Sequence, residues 1–478
     1  MKDAVKISEL EPSERGQTFE EVVLGYNEEE ALQEASRCLQ CKNPVCSKGC
    51  PVGIDIKKFI YHIREKDYES AYFTIKEKNN FPSICGRVCP AEYQCRKTCV
   101  LTKKGSPFAS DQAINIHFLE RFIGDYGNRK NIGAPKENGS GNPAKKVAVV
   151  GSGPAGLCCA GELIRRGISV TVFEGLHDTG GVLRYGIPPF RLPRNILDFE
   201  INYLKKTGVE IVNNCIIGKT LLVEELFNNG FSAIFLGVGA GIPSFLGVKG
   251  ENLCNVLSAN EFLTRVNLMH AYKYPEYHTP INIGRKAVII GGGNTAMDAA
   301  RVAVRLQRMN GVPPDTAVIY RRTEVEMPAR RLEIAHAKEE GVKFEFLAQP
   351  VAFSGDSDGN VRKMKCMRCV LGEPDSSGRR RPVPLENGGF DIECDTAIIA
   401  LGLQANTILT SVTPDIKVDK YKDVVVDQET METSLKKVYA GGDIVGGEGT
   451  VIEAMGMGKK ASRSIEGHVY ETQPKGGG

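Results

Sequence analysis

Between residues 54 and 80, apolar side chains recur at helical spacing: Ile56, Phe59, Ile60 and Ile63, then Tyr68, Ala71, Tyr72 and Ile75. Residues three and four apart share a helix face, so the spacing predicts helix here. Upstream, Asn27 with Glu30 three residues on reads as a capping box. The helix it opens should end near Cys38 and Cys41. Another helix is expected over 114–122. From Lys145 the period changes to short apolar runs, each followed by glycines and a helix-forming stretch. Residues 147–150 are such a run, then 157–166 as helix and 170–173 as a second strand. The pattern restarts at Lys286, with runs at 287–290 and 317–320, and similar apolar-glycine segments close the two units at 233–239 and 397–402. This is a duplicated strand–turn–helix unit, with too long a period for a solenoid. A polar Gly/Asn/Pro-rich stretch, 127–144, reads as a linker. A short strand at 437–440 and a closing helix follow the second unit, and the tail 474–478 is expected to be disordered.

Composition sharpens this only a little. A chain of 478 residues implies about three domains. A net charge of +3 carries no electrostatic footprint for nucleic acid or an anionic membrane. No apolar run approaches the ~20 residues of a membrane span, and no apolar export segment follows Met1, so a reducing, cytoplasmic setting is expected.

That setting matters for the cysteines. Cys38, Cys41, Cys46 and Cys50 are followed by Cys85, Cys89, Cys95 and Cys99, eight of the chain's 15. Disulfides fit a reducing compartment poorly. Zinc knuckles usually come as paired C-x2-C motifs, whereas here one occurs. The Cys50-Pro51 and Cys89-Pro90 steps favour iron–sulfur clusters over zinc. From spacing alone, all eight cysteines, Cys85 included, are ligands.

The first glycine turn is Gly151, Ser152, Gly153, Pro154, Ala155, Gly156, directly after a strand, with Glu174 ending the next strand. Glycines let backbone approach a pyrophosphate, the helix N-terminus favours its charge, and the acid can accept from ribose hydroxyls. Pro154, Ala155 and the later Gly441, Gly442, Asp443 argue for FAD: the aspartate can bind the ribityl chain. The next helix start, near Thr450 and Val451, can stabilise negative charge on the ring. The second turn, Gly291, Gly292, Gly293, Asn294, Thr295, Ala296, has Arg321 and Arg322 where the first has its acid. Guanidinium groups suit a 2′-phosphate, which favours NADP(H) over NAD; the alternative is a solvated surface pair. The segment from Glu326 to Ala329 has no assignment. The fold class is therefore α/β: a helical N-terminal domain (1–126), an FAD domain (145–283 and 404–470), and an NADP(H) domain (284–403) inserted in it.

These motifs, with Gly180-Gly181-Val182-Leu183-Arg184-Tyr185-Gly186 and Tyr320-Arg321-Arg322, resemble the glutamate synthase small-subunit family over nearly the whole chain. That family includes the large subunit of NADH-dependent reduced ferredoxin:NADP+ oxidoreductase. The resemblance implies FAD, NADP(H) and two 4Fe–4S clusters. It implies that Cys38, Cys41, Cys46 and Cys99 hold one cluster, and Cys50, Cys89 and Cys95 the other. Glu120 would be the fourth ligand of the second, leaving Cys85 a spare buried thiol; the alternative is Glu120 as an ordinary helix acid. Gly181 would lie near the flavin, and Arg184 or Arg191 could touch the flavin or a cluster.

A hydride carries two electrons and a cluster takes one, so the flavin is expected between nicotinamide and clusters. No Ser-His-Asp set, zinc catalytic motif or amidotransferase cysteine is apparent. The acceptor site is therefore expected on another subunit of a hetero-oligomer. The resemblance implies a small FAD/2Fe–2S flavoprotein with ferredoxin as a possible partner, and electron bifurcation. The alternatives are an NADPH-oxidising glutamate synthase subunit, or an electron-transfer module with its nucleotide site unused.

Overall fold

The computed structural model describes residues 3–102, 105–106, 108–132, 142–375, 378–447 and 449–471. The linker core and the C-terminal tail lie outside them. The capping box forms: Asn27 Oδ1 accepts from Glu30 N at 2.9 Å and Glu30 Oε2 from Asn27 N at 2.8 Å. It opens the helix Glu28–Ser36, which delivers Cys38. The apolar stripe of 54–80 becomes two helices, Ile56–Arg64 and Tyr68–Lys76. They break where Lys66 takes φ 59° and Asp67 caps the second helix through Ser70 N. The next helix runs Ile116–Lys130, longer than expected, and stops at left-handed Asn131. The helical domain thus extends to 130 rather than 126.

Two five-stranded parallel sheets follow. The first orders Val438–Ala440, Ala233–Leu236, Asn142–Val150, Ile168–Phe173 and Glu210–Val212. The second orders Lys343–Phe346, Thr316–Tyr320, Ala287–Ile290, Thr396–Ile399 and Val256–Ser258. Ala240–Pro243 pairs antiparallel with Leu403–Ala405 where the chain crosses between them. A three-stranded antiparallel sheet, Ala348–Gly355, Val361–Pro374 and Arg380–Glu393, is appended to the second. One expected boundary is corrected. Val256–Ser258 pairs with Thr396–Ile399, and Phe262, Leu263 and Val266 of the next helix share a core with Ala287 and Ala296. The inserted domain therefore begins near 244, not 284. A three-residue edge strand without a glycine turn carries no signature, whereas the strand before Gly291 does.

The N-terminal segment straps the second domain. Arg305 donates to Thr18 O at 2.8 Å and Arg15 O at 2.6 Å, and Val22 N donates to Phe190 O at 3.1 Å. Buried Glu340 accepts from both Arg301 and Arg305 at 2.7 Å. Burial pushes the Glu340 carboxyl up, but the two guanidinium groups outweigh it and hold it at about 2. A depressed carboxylate contributes stability that is full above its unfolded value and fades as pH falls from about 4.5 towards about 2. Glu340→Gln is expected to lose about 3 kcal/mol at neutral pH, because Arg301 and Arg305 stay buried with weakened compensation. It should also flatten the acid limb of stability against pH. Denaturant unfolding between pH 3 and 7 checks both.

Candidate cluster and dinucleotide sites

Cys38, Cys41, Cys46 and Cys99 line one cavity, closed by Leu39, Ile56, Ile60 and Ile114 among others. Burial pushes the Cys46 thiol up to about 11, with Cys99 and Cys38 adding repulsion. Burial likewise raises Cys38, where Cys41 and Cys99 are the facing thiols. The second group gathers around Cys50, Cys89 and Cys95. Burial raises Cys50 to about 11, with Glu120 and Cys89 adding. Burial, then Cys50, Cys89 and Glu120, raises Cys95 well above its ordinary value. Burial lifts the Glu120 carboxyl to about 8. Glu120 and Cys85 both sit in this second group. Cys85 is fully buried, its hydrogen bond with Cys89 raises the Cys89 thiol first, and burial adds to it.

This donor chemistry fits clusters. Grouped cysteines that raise one another's pKa would be held as thiolates by a cationic centre among them. Thiols ringing a cavity suit a multi-iron core. Among the described residues, buried Arg96 Nε, His117 Nδ1 and Arg330 Nε have no hydrogen-bond partner. They share one neighbourhood: burial lowers the His117 pKa far, and Arg96, Arg330 and Arg121 lower it further. Arg330 also acts on Cys89. The charges of Arg96 and Arg330 would suit the net negative charge of a thiolate-ligated cluster.

The first glycine turn precedes the helix Pro154–Arg165, with Gly153 at its N-cap. Gly151 takes φ 97°, and a Cβ on Gly156 would lie 2.0 Å from Gly151 O. A Cβ on Gly153 meets only Gly237 O, at 4.0 Å, so the backbone faces open space there. That is the cradle a pyrophosphate needs. Glu174, read from sequence as a ribose acceptor, also shapes the turn itself. It accepts from Ser152 N at 2.9 Å, the Ser152 hydroxyl and Leu176 N at 2.8 Å. Ser152 Oγ in turn accepts from Gly180 N at 2.9 Å, which brings Gly181 (φ 53°) against Gly153. Gly442 (φ 79°) packs on Ala155, and burial lifts Asp443 beside it to about 6. Thr450 caps the helix Val451–Glu471, accepting from Glu453 N at 3.3 Å.

Both candidate arginines make ion pairs. Arg184 is held by Asp178 at 3.2 Å, Asp198 at 2.5 Å and Thr179 O. Arg191 is buried between Asp298 at 2.6 Å and Glu333 at 2.9 Å. These pairs fix loops, and Arg191 ties the first dinucleotide domain to the second.

At the second turn Gly293 caps the helix Asn294–Met309, and a Cβ there meets nothing within 4 Å. Thr295 is exposed and Ala296 buried. The two arginines divide. Arg322 is buried, donating to Asp375 at 2.6 Å and Arg380 O at 2.7 Å; Arg321 is exposed beside it. The segment without an assignment acquires one. Ala329 N donates to Gly292 O at 3.2 Å and Arg330 N to Asn294 Oδ1 at 2.9 Å. On its other side, Tyr93 donates to Ala329 O at 3.2 Å and Arg330 donates to Arg87 O at 2.8 Å. Residues 329–330 thus lie between the second glycine turn and the cysteine domain. Only the Pro328 break and the Arg330-Arg331 pair hinted at it.

The helix Val451–Glu471 joins the rest. Gly458 packs on Ala155 O of the first glycine turn, so close that a Cβ would sit 2.2 Å away. Gly456 faces Pro51 O, Met455 Sδ lies 3.6 Å from Cys85 Sγ, and Thr450 Oγ1 accepts from Gln94 at 3.2 Å. One helix therefore touches the first dinucleotide turn and the second cysteine group. No helix among the described residues is long and apolar enough to cross a membrane.

Residues 15–132 match the family described as dihydropyrimidine dehydrogenase domain II, 4Fe-4S cluster. Residues 145–458 match pyridine nucleotide-disulphide oxidoreductase. The glutamate synthase [NADPH] small chain of Azospirillum brasilense is 33% identical, over 96% of this chain and 92% of its own. That of Escherichia coli is 32% identical over 94% and 93%. The NADPH-Fe(3+) oxidoreductase subunit beta of Geobacter sulfurreducens is 36% identical over 90% of this chain and 65% of its own. Mycobacterium tuberculosis FprA in complex with NADPH shares the fold, with TM-score 0.57 and 18% identity over 68% of this chain and 85% of that one.

Proposed function

We propose that this chain, which belongs to the glutamate synthase small-chain family of NADPH-linked iron–sulfur flavoprotein oxidoreductases, moves electrons between NADP(H) and a partner subunit. The observation that supports this route is the helix Val451–Glu471, which touches both the first dinucleotide turn and the second cysteine group. FAD, when bound, exchanges a two-electron hydride for single electrons. The chain's own residues do the rest. Gly153 and the helix behind it receive one pyrophosphate, and Gly293 and its helix the other. Arg321 takes the 2′-phosphate. Cys50, Cys89, Cys95 and Glu120 hold the inner cluster near Thr450, and Cys38, Cys41, Cys46 and Cys99 hold the outer one.

A carboxylate ligand is harder than thiolate and separates the inner cluster's potential from the outer one's. That asymmetry supports the finer reading, the large subunit of a bifurcating ferredoxin:NADP+ oxidoreductase with a small FAD/2Fe–2S partner. The second reading, a glutamate synthase small subunit serving a glutaminase partner, is favoured by relatives matched nearly end to end. Purification with native partners separates them: a 2Fe–2S flavoprotein supports the first and a glutaminase the second. Both require NADPH to bleach the bound flavin stoichiometrically in the isolated chain, and a chain whose flavin stays oxidised loses both. Glu120→Ala is expected to reduce iron from about eight to about four atoms per chain, counted by iron analysis, with the outer cluster intact.

A further inference from the structure

We propose that Arg330 couples the second dinucleotide turn to the inner cluster: its guanidinium holds the cluster's potential up, and a phosphate bound at the turn draws that charge away and lowers it. The inference rests on the readings of the turn as the NADP(H) site and of Cys89 as an inner-cluster ligand.

Arg330 is bonded to both places. Its N donates to Asn294 Oδ1 at 2.9 Å, and Asn294 opens the helix whose N-terminus receives phosphate. On the other side, bonds run to residues 87–93, the stretch that carries Cys89. Arg330 Nη1 donates to Arg87 O at 2.8 Å, Arg331 N to Glu92 Oε1 at 3.1 Å and the Tyr93 hydroxyl to Ala329 O at 3.2 Å. The Arg330 charge is buried but loosely held. Its guanidinium donates to a neutral carbonyl, while the carboxylates of Glu92 and Glu333 stand off at 3.9 Å and 3.8 Å. Both are engaged elsewhere, Glu92 with Arg331 N and Glu333 with Arg191 and Arg301. The neighbouring Arg87, by contrast, is clamped by Asp125 at 2.6 Å and Glu21 at 2.7 Å. A buried charge so weakly compensated acts over several ångströms. At Cys89 it favours the added negative charge of a reduced cluster, and so raises the potential. A phosphate at the start of the helix offers the guanidinium the charge-assisted partner that those carboxylates do not. The side chain therefore has two places to go, and each site biases the choice.

The test is an EPR redox titration of full-length, iron-loaded flavoprotein, with 2′,5′-ADP as a redox-inert phosphate probe. The inner signal is the one lost in Cys89→Ala. In wild type, saturating 2′,5′-ADP should lower the inner cluster's reduced-to-oxidised ratio at fixed potential at least threefold, about 28 mV for one electron. The outer cluster should stay unmoved as internal control. Arg330→Gln should lower the same ratio at least tenfold without the probe, about 59 mV, and should keep less than half of the probe's shift. Arg330→Lys restores the charge and should hold the ratio within threefold of wild type. An inner midpoint that 2′,5′-ADP leaves unmoved in wild type overturns the proposal, and that measurement needs no variant to fold. A probe shift of wild-type size in Arg330→Gln overturns it too, as does a lysine variant that titrates like the glutamine one. If 2′,5′-ADP does not bind, or Cys89→Ala loses no cluster, the proposed function falls and takes this inference with it.

Discussion

A chain carrying Gly153→Val is expected to fold and to bind FAD at least about 100-fold more weakly, a loss of about 2.7 kcal/mol. Gly153 has φ −70°, so a side chain adds no left-handed strain. Its Cβ would meet only Gly237 O, at 4.0 Å, so the flavin-free fold has room for it. The valine methyls instead enter the space before the helix N-terminus, where backbone N–H groups and the dipole would receive a pyrophosphate. The flavin-free variant should melt within a few degrees of flavin-free wild type, while fluorescence titration with FAD gives the loss of affinity. Gly156→Val is the contrast. Its Cβ would lie 2.0 Å from Gly151 O and 3.2 Å from Val149 Cγ1, so helix and strand must separate and the chain is destabilised with or without ligand. Wild-type FAD affinity in Gly153→Val would remove this turn from the flavin site.

Arg321→Ala is expected to lower kcat/KM for NADPH by about 10- to 100-fold, the worth of a charge-assisted pair with phosphate. Activity with NADH should change little, because NADH has no 2′-phosphate to lose. Among the described residues, exposed Arg321 makes no such pair as Arg322, whose guanidinium is bound to Asp375 and Arg380 O. Arg322→Ala should therefore differ in kind. It removes a donor from a carboxylate and a carbonyl, lowers stability by about 1–3 kcal/mol, and weakens NADPH and NADH use alike. Initial rates with both nucleotides, alongside thermal unfolding, separate the two roles. If Arg321→Ala lowered both nucleotides equally, its charge would not be reading the phosphate.

The motifs with a fixed local geometry were legible in the chain. A glycine turn between strand and helix is set by a few consecutive residues, and both turns stand where the pattern put them. The capping box at Asn27 and the stripe from Ile56 are equally local. What depends on distant packing was not legible. The start of the second domain at an edge strand, the commitment of Arg191 to Asp298 and Glu333, and the strap around Arg305 join residues far apart in sequence.

The inner cluster is where this difference matters most. Cysteine spacing by itself favoured clusters over zinc and marked the stretch of chain concerned, which the 4Fe-4S domain match over residues 15–132 supports. It could not rank Cys85 against Glu120, because they are 35 positions apart and their meeting is a matter of helix packing. The helices Pro82–Val88 and Ile116–Lys130 approach through glycines: a Cβ on Gly86 would lie 2.5 Å from Arg121 N, and one on Gly124 2.6 Å from Ser83 N. Only that backbone-to-backbone contact brings Glu120 and Cys85 to the two ends of Asn79. Hydrogen-bond polarity at a buried amide is a property of three side chains together, and tertiary structure alone assembles them.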